Sequence, residues 1–358
     1  MKNIIMAWSF GDEKIFEGKV PLKFSGERNN QLGFGNDFDV LFLTGYKLLS
    51  ESYKKELSDL GYRLHDVENV YTEYDTKYAQ LDRFGDYEKK CFLRWLVINQ
   101  YFPGEKIVHY DGDIIFNESP AVIQKLAHEK TVVFHGSPSM TVISDQVWFK
   151  RYQEELDLFV ADIEGYSRAA WAERVGWEVT AKTRWAAPRY REIITSDQDF
   201  LAHLVHTGRI KQDSIEEISL LFDDYIISSN PLFIHLYNEN IPFVYSRENN
   251  IDYVSYKRSD DGNCPVIKKK VLYWHMQSCF NFYAGKYILR KKYINFLPFS
   301  RIFLRDPMRR WEDLLNKRIS RFTKHNTRLS VYNYFFKLHD FSGLMNDKIW
   351  WRVGVFRK

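Results

Sequence analysis

Three short stretches carry side chains whose types and spacing suit chemistry. The first is Asp111-Gly112-Asp113, inside KIVHYDGDIIF (106–116). Ile107 and Val108 lead an apolar, strand-like run into the pair, and Ile114, Ile115 and Phe116 resume it. Two carboxylates with one glycine between them form a compact set of hard oxygen donors. Such a pair can hold a divalent cation, which in turn can hold a diphosphate. Asp-Gly between apolar runs is also a hairpin-turn signature, and these residues alone leave both readings open.

The second stretch is TSDQDFL (195–201). Ser196 can cap a helix running over 197–205, and acidic residues in a first turn suit the helix dipole. A carboxylate here can instead act as a general base or stabilise developing positive charge. Residues two apart on a helix point about 200° from each other, so Asp197 and Asp199 are expected to divide these roles. Asp199 lies deeper in the helix and is preferred for the site, with Asp197 second. The third stretch is LYWHMQSCFNFYAGK (272–286), where a strand-like run ends in His275 and Gly285-Lys286 follow. Histidine is a good transition-metal ligand, and lysine is a point-charge partner for phosphate. A histidine beside Trp274 also suits a satisfied core position.

The elements that must position these residues follow from periodicity and turn chemistry. Strands are expected over 3–9, 39–43 and 63–67, with a helix opened by Ser50 and stopped by Gly61. Residues 10–36 and the Tyr-rich run up to Asp86 read as loops. EKKCFLRWLVINQYF (88–102) reads as a buried helix ended by Pro103-Gly104. Further strands are expected over 131–135 and 141–143, and an amphipathic helix over 146–160. Alternating strands and helices imply an α/β fold with a mostly parallel sheet flanked by helices. Ligands then bind beyond the carboxyl ends of the strands, which is where Asp111 and Asp113 fall.

Composition narrows the class. The 358 residues are 45% apolar and 27% charged, as in an ordinary globular protein, and the 17% aromatic content suits sugar stacking. Three scattered cysteines (Cys91, Cys264, Cys279) argue against a disulfide framework or a zinc cluster, and fit a reducing cytoplasm. No apolar run is long enough for a membrane span, and the N-terminal one is too short for a signal peptide. The net charge of +4 is unevenly spread. Residues 286–358 carry 18 Lys and Arg against 5 Asp and Glu, whereas 1–285 carry 33 against 42. This asymmetry divides the chain into a main domain, 1–285, which carries the three stretches above but for Lys286, and a basic, aromatic extension, 286–358, expected to be helical. Such an extension can lie on an anionic membrane or pack on the domain with a solvated basic face. Nucleic acid is a poor partner, because the acidic remainder would repel it.

CFLRWLVINQYFPGEKIVHYDGDIIF resembles the donor-binding core of GT-A glycosyltransferases, in which an arginine-bearing helix precedes a strand ending in DxD. TSDQDFL is similar to the DQD motif of family 8 type members. The resemblance covers roughly 90–286 and implies a Rossmann-like GT-A fold and a nucleotide-diphosphate sugar donor, with a UDP-sugar foremost. It implies a Mn²⁺ or Mg²⁺ cofactor held by Asp111, Asp113 and His275. Arg94, Asp111 and Lys286 would then contact the donor, and Asp199, Asp197 and Gln198 would line the reacting sugar. In the family 8 pattern a glycine lies three residues after the histidine, whereas Gly285 lies ten after His275. The alternative for Arg94 is a structural ion pair with Asp111. The segment 164–191, with Trp171, Trp177 and Trp185, is either an acceptor-binding insertion or a lid packed on its own tryptophans.

The expected activity is therefore glycosyl transfer to a glycan or lipid-linked acceptor, in the cytoplasm and peripheral to a membrane. One rival is a Mg²⁺ phosphohydrolase with Asp111 as nucleophile and Asp113 as acid. It resembles haloacid-dehalogenase-like phosphatases, but Ile115 and the motif's late position argue against it. The other rival is a basic-tailed binding protein in which DGD is only a turn.

Overall fold

The computed structural model describes residues 1–133, 138–173, 194–213, 224–230, 233–236, 239–241, 244–249, 251–256 and 265–275. In chain order the elements begin β1 (Lys2–Trp8), α1 (Glu13–Lys19), α2 (Leu22–Gln31), β2 (Asp39–Thr44), α3 (Glu51–Asp59) and β3 (Arg63–Asp66). They continue through α4 (Glu68–Lys77), α5 (Asp86–Tyr101), β4 (Ile107–Tyr110), β5 (Ile114–Phe116), α6 (Pro120–Ala127), β6 (Val132–Val133) and β7 (Met140–Ile143). Next are α7 (Val147–Ala161), α8 (Ile163–Ala172), α9 (Asp197–His206), β8 (Tyr225–Asn230) and β9 (Phe233–Leu236). The last are β10 (Glu239–Ile241), β11 (Val244–Glu248), β12 (Ile251–Tyr256) and β13 (Ile267–His275).

These residues group into two compact units. The first comprises 1–11, 29–112 and the described residues of 119–223. Its sheet has the order β3-β2-β1-β4-β7-β6, with β3, β2, β1 and β4 parallel and β7 antiparallel to both β4 and β6. β2 and β4 are almost wholly buried, as the unbroken runs DVLFL and IVHY require of strands covered on both faces. This is the expected α/β architecture, a mixed sheet of six mostly parallel strands flanked by helices. α5 is buried continuously from Lys89 to Ile98 and so has no solvated stripe. Rings from three helices close around it: Phe92, Phe159 and Phe200 lie within 5.9 Å of one another, and Trp148 stacks on Tyr152 at 5.4 Å.

The second unit comprises 12–28, 113–118 and the described residues from Asp224 on. Its sheet runs β10-β9-β8-β13-β12-β11, and β5 also pairs with β13. β12 alternates between part-exposed and buried residues, the mark of a sheet with one solvated face. The DGD glycine is the last residue of the first unit here, and Asp113 opens the next segment of the second. β4 pairs with β1 and β7, whereas β5 pairs with β13, so the motif does not close a hairpin.

Two expected loops are helical. Residues 10–36 contain α1 and α2, whose Gly18 and Gly26 depress helix propensity while buried Phe16 and Leu22 hold the helices. The Tyr-rich run contains α4 and a 3₁₀ turn over Ala79–Phe84. Tyr71 and Tyr78 are core residues there, their rings buried and their hydroxyls donating to Asp75 (3.1 Å) and Asp157 (2.7 Å). Among the described residues no helix is long and apolar enough to cross a membrane. The extension 286–358, Lys286, Trp177 and Trp185 lie outside the described residues.

Candidate functional site

In the first unit, Arg94 joins the two acidic motifs. Buried α5 presents its guanidinium at 5% exposure. Nη1 donates to Asp111 Oδ1 at 2.9 Å, and Nη2 donates to Asp197 Oδ2. Asp111 follows directly on β4, and its amide donates to Ser139 O at 2.8 Å, which extends the β4–β7 ladder by one bond. Asp197 is the first residue of α9 and is 4% exposed. Burial works against the charge on Arg94, but Asp197 and then Asp111 outweigh it and hold the guanidinium more firmly protonated than usual. The ion pair with Asp111, weighed as an alternative role for Arg94, is thus present, and a second carboxylate shares it.

The surroundings reinforce this charge pattern. His109, two residues before Asp111, is fully buried, donates from Nδ1 to Pro138 O at 3.2 Å, and packs on Trp95 at 4.9 Å. Burial first, then Arg94, pushes its pKa down to about 3, so the imidazole is neutral. Cys91 lies one turn before Arg94, and burial followed by Asp197 pushes its thiol well up. Glu88, Cys91 and Asp197 place potential ligand atoms within 4.8 Å of one another. A neutral thiol and a carboxylate already serving Arg94 make this a poor cation site.

The two carboxylates of the TSDQDFL motif diverge, as helix geometry demands. Ser196 Oγ caps α9 by accepting from the Asp199 amide at 3.2 Å. Asp199, 0% exposed, turns back so that Oδ2 accepts from Thr195 N (3.1 Å) and Thr195 Oγ1 (2.7 Å). Asp199 is therefore committed to the helix start, while Asp197 reaches Arg94. Gln198, between them, is half-buried. Asp197, not Asp199, is the motif carboxylate that shares Arg94 with Asp111.

The carboxyl ends of β1 and β2 add a surface that the motifs do not announce. Ser9 N donates to Thr44 O at 3.0 Å, and Gly45 lies so close to Ser9 that a Cβ would stand 2.1 Å from the Ser9 carbonyl oxygen. Gly45 also has φ 77°, which favours glycine on its own account. Around this joint Phe10, Leu48 and Tyr87 are more than half exposed, and Tyr87 meets Trp8 edge-on at 5.6 Å. The available signal was positional: Phe10 and Leu48 follow shortly after two parallel strands.

No protein-family model matches this chain, and no curated protein matches it.

In the second unit, β13 ends in five buried residues, the last being His275. His275 pairs with Ile114, Trp274 with Ile115 and Tyr273 with Phe116. This register brings His275 Nε2 to 3.5 Å from Asp113 Oδ1, with 10% and 21% of the two side chains exposed. Adjacent ligands of a six-coordinate cation with bonds of about 2.1 Å lie roughly 3 Å apart, so the pair fits a shared ion with little adjustment. A carboxylate with an imidazole suits Mn²⁺ better than Mg²⁺, which prefers oxygen alone. Trp274 Nε1 donates to Asp252 Oδ2 at 2.7 Å, and Arg28 stands 3.8 Å from the same carboxylate.

Proposed function

We propose that the protein is a divalent-cation-dependent glycosyltransferase that moves a sugar from a nucleotide-diphosphate sugar to a glycan or lipid-linked acceptor. The observation that carries this reading is the convergence on Arg94 of Asp111 and Asp197, which lie in separate acidic motifs. They meet at the carboxyl end of a parallel strand, where such sheets bind ligands.

In this reading Asp113 and His275 hold the cation, and Asp111, one glycine away in the chain, is the further carboxylate expected from the sequence. The cation supplies positive charge to the diphosphate as the sugar leaves. Trp8, Phe10 and Tyr87 offer apolar faces for a nucleobase at the ends of the parallel strands. Arg94 donates to Asp197 in a buried position, and the carboxylate stabilises charge at the reacting carbon or accepts the acceptor's proton. With both Nη groups spent on carboxylates, Arg94 is better suited to positioning than to direct donor contact. The phosphohydrolase alternative is disfavoured because it needs Asp111 as a nucleophile, whereas here Asp111 accepts from a buried guanidinium. Contact of 286–358 with an anionic membrane rests on composition alone, and loss of vesicle binding on truncation near residue 287 would support it.

The test is incubation with a panel of nucleotide sugars and Mn²⁺, following slow donor hydrolysis. Asp113→Asn should weaken Mn²⁺ and nucleotide binding together while the fold survives. Calorimetry showing unchanged nucleotide affinity in the presence of metal would sink the DGD assignment.

A further inference from the structure

β13 changes partner along one edge. From Ile267 to Lys270 it pairs with β12, and from Tyr273 to His275 it pairs with β5, while β8 occupies its other edge. The side chain of Asn117 sits at this switch and is 0% exposed. Asn117 Oδ1 accepts from Asp252 N at 2.8 Å, and Nδ2 donates to Asp252 O (3.1 Å) and Val271 O (2.7 Å). Continued pairing of β12 with β13 would put Asp252 opposite Val271, so the amide fills the place of the next rung. Backbone bonds from Asn117 N and Glu118 N to Leu272 O, both 3.1 Å, fasten the same point.

We infer that Asn117 is a positioning residue that sets Asp113 against His275. β5 is only three residues long, too short to hold a register by itself. A slip of one residue would turn every β5 side chain to the opposite face. Asn117 directly follows β5 as Asp113 directly precedes it, so fixing Asn117 to both β12 and β13 fixes the pairing of Ile114 with His275. The 3.5 Å approach of Asp113 to His275 follows from that pairing. An asparagine serves here because one amide both donates and accepts in a plane, as a peptide group does. The consequence for cation binding rests on the reading proposed above, whereas the geometric claim does not.

Two measurements on the full chain separate these claims. In an Asp113→Cys/His275→Cys background, mild oxidation should join the two positions, with the bond mapped by mass spectrometry. Adding Asn117→Ser should slow that bond formation tenfold or more, and an unchanged rate overturns the inference. Asn117→Asp, which keeps the shape but removes the donor, should have the same effect and serves if the serine variant fails to fold. Separately, Asn117→Ser in the otherwise native chain should lose about 10–100-fold in Mn²⁺ affinity, the usual cost of disturbing a ligand's support. Ile123→Val, a core change in the other unit, should leave Mn²⁺ affinity unaltered at a similar loss of stability. If the native chain binds no Mn²⁺ while cross-linking still depends on Asn117, the cation reading falls and the positioning role stands.

Discussion

Asp197 and Asp113 are both carboxylates of short acidic motifs, yet their two units treat them in opposite ways. Asp197 is 4% exposed and held by a guanidinium that belongs permanently to the fold. Asp113 keeps 21% of its side chain exposed and faces an imidazole, which carries charge only when protonated. The second unit can also bury an acid permanently: Asp252, 0% exposed, has Arg28 and the Trp274 indole against it. Asp199, also 0% exposed, is held by the neutral donors Thr195 N and Oγ1, and Asp111, with 27% of its side chain exposed, still pairs with Arg94. A carboxylate removed from water thus takes its partners, charged or neutral, from the fold, whereas a part-exposed one facing an imidazole can also meet an exchangeable ion.

The largest effect should come from removing the built-in cation. Arg94→Met removes the guanidinium that Asp111 and Asp197 share, and should cost about 3–5 kcal/mol in urea unfolding. Adding Asp197→Asn should recover part of that loss, because one buried charge disappears. Additive losses in the double variant would show that the pair is not coupled. Asp197→Asn alone is the next test. It should lower turnover by about two to four orders of magnitude while leaving Mn²⁺ binding at Asp113 and His275 in place. Turnover within threefold of the native chain would remove Asp197 from the proposed chemistry.

The parallel sheet was legible in the sequence because β2 and the core of β1 are unbroken apolar runs, and α5 because Phe92, Trp95 and Leu96 recur along one face before Pro103-Gly104. The two missed helical regions show the limits of that reading. Glycine, serine and asparagine in α2 argue locally for a loop, and only burial of the neighbouring apolar residues outweighs them. Tyr71 and Tyr78 read as polar but serve as core, because a buried ring needs only one partner for its hydroxyl. For the candidate site, residue types pointed to Asp111, Asp113, Arg94 and His275, and to Asp111 as a partner of Arg94, but not to Asp197 as its second partner. The spacing argument required Asp197 and Asp199 to diverge without fixing which turns inward. Asn117 carried no motif at all: its role comes from the change of strand partner on β13, a long-range feature without local signature.

Acid should weaken the first unit through two buried histidines. Burial, followed by Arg94, lowers His109 to about 3; burial, followed by Arg209, lowers His203 to about 4. Arg209 Nη1 lies 2.7 Å from His203 Nε2, and that contact needs a neutral ring. Above the unfolded value of about 6.5, both states are neutral and these groups contribute no pH dependence. Below it the unfolded chain takes up protons that the folded chain refuses, so stability falls until pH reaches the folded values. Between pH 7 and 5 the loss should be about 2 kcal/mol for each histidine. His109→Phe should remove about half of that slope in urea titrations at the two pH values. A slope unaltered by the substitution would mean that the ring is protonated in place.

The smallest effect discriminates most finely between the two carboxylates of TSDQDFL. Asp199 accepts from Thr195 N and Oγ1, and its own amide donates to Ser196 Oγ, so these groups form a closed helix start. Asp199→Asn can still accept from Thr195 but loses the charge that suits a helix N-terminus, and Ser196→Ala removes the cap acceptor outright. Each should cost about 1 kcal/mol, within the range for a lost cap. Neither should change turnover more than a few-fold, because α9 remains held by Phe200, Leu201 and Leu204 in the core. The pair of results has a definite pattern: Asp197→Asn affects rate, and Asp199→Asn affects stability. If Asp199→Asn instead abolished turnover at unchanged stability, the carboxylate that serves the chemistry would be the one facing Thr195. Arg94 would then be holding Asp197 only as a strut between α5 and α9.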